Sequence, residues 1–111
     1  MTHRTSPADA VRYERIREIG CLACRKRGLD SPAEVHHLNL GGHAGMKRRG
    51  NAFTIGLCAH HHRDDPGTSS RRTMEQIYGP SLAGASKRFR AEFGSDAELL
   101  ALQDELIGGG S

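Results

Sequence analysis

Cys21-x-x-Cys24 and Cys58-x-x-His61 are two knuckles with the same two-residue gap. A gap of that size lets one tight turn aim two side chains at one point, so the pair supplies four ligands for a tetrahedral zinc ion. The 33 residues between Cys24 and Cys58 leave room for intervening structure that brings the knuckles together. His60, His61 and His62 are contiguous, so spacing alone leaves the fourth ligand open. Repeating the gap of the first knuckle selects His61. Three cysteines cannot all pair with one another, and in a reducing compartment ligation of Zn²⁺ is the better use of them.

With His61 given to that site, His62 is left on the first turn of the segment that follows, where a second metal ion could be held. A further pair, His36-His37, lies upstream. On a strand, neighbouring side chains point to opposite faces. One imidazole of the pair can then ligate an ion while the other reaches a water, unless a bulge at the strand end brings both to one side. A lone His pair is usually part of an ordinary surface strand. Two His pairs bracketing a zinc knuckle argue for chemistry instead.

The elements that must position these residues are short. Ser6-Pro7-Ala8-Asp9 starts a helix, with a capping serine, a proline tolerated in the first turn and an acid set against the dipole. Ala8, Val11, Ile16 and Ile19 give it an apolar stripe, and Gly20 closes it at the first knuckle. A strand is expected from Glu34 to Leu40 and a second from Ala52 to Leu57, joined by a polar, Gly-rich loop over Gly41 to Gly50. The His-rich segment begins a short helix that Pro66 stops. Helices follow over Ser70 to Tyr78 and over Leu82 to Phe93, the latter with Leu82, Ala85, Phe89 and Phe93 on one face. Ser95-Asp96-Ala97-Glu98 is a capping box for a last helix bearing Leu99, Leu102 and Leu106. The organisation is one α+β domain over residues 1–107, with a zinc-stapled core at about 20–66, a helical part at 70–107 and a flexible tail at 108–111.

At 111 residues, with 36% apolar content and no tryptophan, the core is thin and needs such a staple. No apolar run is long enough for a bilayer and the N-terminus lacks a secretory h-region, so a cytoplasmic protein with no membrane association is expected. Charge is segregated: residues 1–90 carry all 16 Lys and Arg against eight acids, whereas residues 91–111 carry five acids and no base. Arg25-Lys26-Arg27, Lys47-Arg48-Arg49, Arg71-Arg72 and Lys87-Arg88 with Arg90 are separate basic clusters, the pattern of a surface that meets phosphates.

The ordered set CLAC, VHHL before a Gly-rich loop, an Asn, and GLCAHHH resembles the HNH endonuclease superfamily in its zinc-containing form. With the later KRFRAEFGSDAELL stretch, the chain is most similar to the phage Ref-type recombination nucleases, over about Gly20 to Leu100. That resemblance implies a ββα-metal, treble-clef-like fold and cleavage of DNA with one divalent ion, Mg²⁺ or another. It puts His36 and His62 in the positions of the metal ligands and His37 in that of the general base. Asn51, seven residues before Cys58, is the candidate for the middle Asn that orients His37. Where relatives carry a third ligand this chain has Pro66, which leaves two protein ligands. A phage or prophage origin and action with the bacterial strand-exchange recombinase filament are further implications.

Lys47, Arg48, Arg63, Arg71 and Arg72 are the candidate DNA contacts. Asp64 and Asp65 are read as solvated acids, and His3 and His60 as bystanders. The rival from another class is a non-catalytic zinc-stabilised module that binds nucleic acid. A third reading is a small zinc-stabilised protein-interaction domain.

Overall fold

The computed structural model of the protein describes residues 7–38 and 53–109. Helix α1 (Pro7–Ile19) ends at Gly20, whose φ of 89° lies in the left-handed region and whose N–H donates to Ile16 O at 3.0 Å. A Cβ at Gly20 would sit 2.9 Å from Ser31 O, so glycine is required there on both counts. A short helix that the sequence pattern did not announce, α2 (Leu22–Lys26), follows at once. Strand β1 (Glu34–His37) pairs antiparallel with β2 (Thr54–Leu57), placing Glu34 opposite Leu57, Val35 opposite Gly56, His36 opposite Ile55 and His37 opposite Thr54. Helix α3 (Ala59–Arg63) runs directly out of β2, and Asp64 ends it at φ 59°. Helices α4 (Arg71–Tyr78), α5 (Ser86–Phe93) and α6 (Asp96–Gly109) complete the described chain.

Residues opposite one another in a ladder share a face. His37 and Thr54 therefore point to one side of the sheet with Val35 and Gly56 out of phase with His36 and Ile55 on the other. Helix α1 packs on both strands, as does α3, while α2 and α6 pack on β2. Gly56 lies under α1 so closely that an added Cβ would be 2.8 Å from Ile16 Cγ2. The core joins Ile55 and Leu57 to Leu22, Phe89, Phe93 and Leu99 around the three cysteines. Fully burying each of these large side chains contributes about 1.5–3 kcal/mol.

Three expectations need correction. Val11 is 61% exposed, because α1 turns Ile16, Arg12, Tyr13 and Ile19 inward instead. The reason is polar: the Arg12 guanidinium donates to Thr54 Oγ1 at 2.8 Å and Thr54 O at 2.6 Å, and this fixes the helix's rotation. Helix α5 starts at Ser86, not Leu82, since the Leu82 N–H donates to His61 O and the Gly84 N–H to Ser81 Oγ, both at 2.9 Å. Those bonds hold residues 82–85 in a turn. Helix α6 continues through Gly109, into the stretch expected as a tail. Its capping box forms as read, with Glu98 N–H donating to Ser95 Oγ at 3.1 Å and Ser95 N–H to Glu98 Oε1 at 2.8 Å. Among the described residues, no helix is long and apolar enough to cross a membrane.

Candidate metal centres

Both knuckles are built alike. Cys21 caps α2 and Cys58 caps α3, each Sγ accepting the backbone N–H three residues on, from Cys24 and His61. A thiolate that caps a helix is stabilised by the N–H groups and dipole at that end. Cys21, Cys24, Cys58 and His61 converge with all ligand atoms within 4.8 Å of one another, and all four residues are buried. The Cys24 and Cys58 sulfurs are 3.8 Å apart, and His61 Nδ1 is 3.4, 3.6 and 3.3 Å from Cys21, Cys24 and Cys58 Sγ. Zinc bonds of about 2.3 Å to sulfur and about 2.0 Å to nitrogen at tetrahedral angles require separations of about 3.5–3.8 Å. The Cys24–Cys58 pair and the three contacts of His61 thus come near the spacing of a tetrahedral site, and the group could hold a metal ion such as zinc.

Neighbouring groups set the ligands' chemical state. His61 Nε2–H donates to Tyr78 O at 2.8 Å, which fixes the tautomer and leaves Nδ1 as the coordinating lone pair. Ser31 Oγ donates to Cys24 Sγ at 3.1 Å. Burial opposes charge on His61, but its hydrogen bonds with Cys24 and Cys58 overcome that and push it up to about 9, so an ion entering the cluster displaces a proton from Nδ1. Hydrogen bonds from Cys21, Cys24 and His61 hold the Cys58 thiol far below its ordinary value.

The second cluster lies where α3 meets β1. His36 and His62 approach edge to face, with ring centroids 4.9 Å apart. His62 Nδ1–H donates to Glu34 Oε1 at 2.8 Å, so its Nε2 carries the lone pair. Glu34 is in turn clamped by Arg63, with Nε to Oε1 at 2.9 Å and Nη2 to Oε2 at 2.6 Å. The Arg63 clamp, against the cost of burial and with help from His62, lowers the Glu34 carboxyl to about 2. Burial first, and then the neighbouring His62, lower His36 to about 4, so it stands as a neutral imidazole with a lone pair to offer. Among the described residues, no third His, Cys, Asp or Glu joins these two imidazoles in a close ligand group.

His37 points the other way, as the strand alternation requires. Its Nε2 is 3.4 Å from the Tyr13 hydroxyl of α1, with the two rings edge to face at 6.2 Å. Arg63 also meets Asp65 at 3.3 Å, and Arg71 meets Asp64 at 3.0 Å, while Arg72 is exposed on the first turn of α4. Asp64 and Asp65 are thus ion-pair partners, not merely solvated acids. His60 is no bystander to the fold: it is buried, and its ring nitrogen Nε2 donates to Gly79 O at 2.8 Å. Lys47, Arg48 and Asn51 lie outside the described residues.

Two residues escaped the sequence reading. Glu34 carried a signal, since an acid two positions before His36 on a strand shares its face. Tyr13 carried none, because only the packing of α1 brings it to His37.

Two cysteine-capped knuckles that close on one buried Cys3His group able to hold a metal ion, with a short sheet and a helix presenting paired imidazoles, define a small α+β domain. The chain belongs to the protein family described as "Recombination enhancement, RecA-dependent nuclease", which it matches over residues 7–108. That span contains both knuckles, the sheet and the six described helices except the last residue of α6. No curated protein matched the chain.

Proposed function

We propose that the protein is a metal-dependent DNA endonuclease of the HNH type, of phage or prophage origin, acting in recombination together with a strand-exchange recombinase filament. The observation that carries this reading is the His36–His62 approach, with the Glu34 contact directing the Nε2 of His62 outward, in a chain of a RecA-dependent nuclease family. The strand–strand–helix order of β1, β2 and α3 supports a ββα-metal arrangement, with the ligands on β1 and α3. Cys21, Cys24, Cys58 and His61 hold a structural zinc that fixes the start of α3 and hence His62.

In this mechanism His36 and His62 would hold one divalent ion, Mg²⁺ or another, and such an ion would supply charge to the scissile phosphate and the leaving oxygen. His37, which the strand turns to the face opposite His36, would take a proton from the attacking water at the end of β1. Asn51 orients His37, and Lys47, Arg48, Arg63, Arg71 and Arg72 contact the DNA backbone. In-line attack leaves 5′-phosphate and 3′-hydroxyl ends. Arg63 and Arg71 would exchange their present carboxylate partners for phosphate in part, whereas Arg72 is already exposed.

The test is cleavage of plasmid, single-stranded and D-loop DNA with Mg²⁺ or Mn²⁺, with and without a recombinase filament, by wild type and His37→Ala. Loss of cleavage by at least about 100-fold in the variant is expected, within the range for removal of a general base. Equal cleavage by both proteins overturns the assignment, and DNA binding without cleavage by wild type favours the non-catalytic module.

A further inference from the structure

We propose that the cavity between α3 and α4 is a base-binding pocket: it receives an unstacked, amino-bearing nucleobase of the DNA substrate, whose phosphate Arg63 holds at the rim. The inference rests on the reading of the protein as a DNA nuclease made above.

The cavity measures about 340 Å³ and lies between α4, the start of α3 and residues 31–34. That volume falls within the range of about 300–1,000 Å³ typical of small-molecule sites. Pro32, Ala33, Ala59, Met74 and Tyr78 give it apolar and aromatic walls, which suit the faces of a planar ring. The α4 wall is tied down, because Tyr78 O and Gly79 O accept the Nε2–H groups of His61 and His60, each at 2.8 Å.

His60 borders this cavity and is 2% exposed. A carbonyl can only accept, so the ring's Nε2 carries the hydrogen given to Gly79 O, and the lone pair of the neutral imidazole falls on Nδ1. Nδ1 is buried and takes no hydrogen bond among the described residues. An unfilled buried acceptor is costly, and a donor that arrives with a ligand removes that cost. The carboxylates of Glu34 and Asp65 border the same cavity and likewise only accept. Such acceptors match the N–H groups of an exocyclic amine, which adenine, cytosine and guanine carry and thymine lacks.

Arg63 adds a cation at the rim. Its guanidinium meets Glu34 Oε2 at 2.6 Å and Asp65 Oδ2 at 3.3 Å, yet its side chain is 53% exposed. Acceptors within and an exposed cation outside fit an amine joined to an anion, and a nucleotide is such a ligand. Glu34 also accepts the Nδ1–H of His62 at 2.8 Å, so one residue joins the cavity to the imidazole pair. Taking a base out of its stack costs least in unpaired DNA, so the pocket favours single strands over duplex.

The test is fluorescence anisotropy of oligo(dC) and oligo(dT) of equal length with zinc-loaded protein, without Mg²⁺ or Mn²⁺. The two present the same phosphates and differ at the ring edge. Oligo(dC) is expected to bind about three- to tenfold more tightly, the size of one added hydrogen bond. Asp65→Asn keeps an acceptor for the Gly67 N–H and adds an amide donor, so it should abolish or reverse that preference. Met74→Trp fills the cavity and should bring oligo(dC) to the affinity of oligo(dT). In long-range ¹H–¹⁵N spectra the His60 Nδ1 resonance should move with oligo(dC) and stay in place with oligo(dT). Equal wild-type affinity for the two strands, with DNA still bound and nicked, overturns the pocket and leaves the nuclease. A preference for oligo(dC) that survives in both variants also overturns it. Failure of the wild type to bind or cleave any DNA removes the underlying reading and this inference with it. Should Met74→Trp fail to fold, Asp65→Asn and the wild-type spectra decide, since a His60 Nδ1 resonance unmoved by oligo(dC) contradicts the pocket.

Discussion

Replacing Glu34 separates the metal-ligand role of His62 from its place in the fold. In the wild type Glu34 Oε1 accepts the Nδ1–H of His62 at 2.8 Å, and Arg63 holds both carboxylate oxygens at 2.9 and 2.6 Å. That contact fixes the plane and tautomer of the ring whose centroid lies 4.9 Å from that of His36. Partners of this kind change metal affinity by about 10–100-fold, equivalent to about 1.4–2.7 kcal/mol. Glu34→Gln retains an amide oxygen that can accept the same hydrogen bond but loses the charge, so a fall of about tenfold is expected. Glu34→Ala removes the acceptor and releases Arg63, and about 100-fold is expected. The Glu34 side chain is 36% exposed and that of Arg63 53%, so loss of their pairing should leave the fold intact. The assay is Mn²⁺ titration of zinc-loaded protein by electron paramagnetic resonance and calorimetry, with His36→Ala as the control that lacks a ligand. Both Glu34 variants should still hold one zinc per chain. An affinity for Mn²⁺ in Glu34→Ala within twofold of wild type refutes the reasoning, as does a loss that merely tracks loss of zinc.

Glu34 also confers a pH dependence on stability. Its folded value of about 2 lies below the unfolded 4.5, so its contribution is present above about pH 4.5 and lost as pH falls through about 2. Urea melts of wild type and Glu34→Gln should therefore differ by a constant amount above pH 5 and converge towards pH 2, and a difference undiminished at pH 2 refutes the ion-pair account. Cys58→Ala removes a zinc ligand and the cap of α3 together. Structural zinc binding is worth about 10–16 kcal/mol and domain stability is about 5–15 kcal/mol, so cooperative melting should vanish with the metal. A zinc-free variant that still melts cooperatively by circular dichroism contradicts this. Gly56→Ala forces a methyl within 2.8 Å of Ile16 Cγ2 and 3.0 Å of Ala33 Cβ, which should cost about 1–3 kcal/mol in denaturant melts. An unchanged midpoint would show that α1 lifts freely from the sheet.

What could be read from the sequence alone was set by covalent spacing. A cysteine and a ligand three residues on must share a turn, so Cys21 with Cys24 and Cys58 with His61 were legible, as was the box formed by Ser95 and Glu98. The alternation of His36 and His37 followed from strand geometry in the same way, and each of these is decided within about one turn or one pleat.

Tertiary structure decided which of these local units meet. Val11 falls on the apolar stripe of α1 in the sequence, yet Arg12 and Tyr13 occupy the inner face because Thr54, 42 residues further on, accepts the guanidinium. Leu82 and Ala85 fitted a helical stripe, yet the carbonyl of His61 takes the Leu82 N–H and delays α5. Glu34 reaches His62 across 28 residues, and Tyr13 reaches His37 across 24. Periodicity records which faces an element has, but the partner that covers a face, and the hydrogen bonds that lock its rotation, arise only when distant segments pack together.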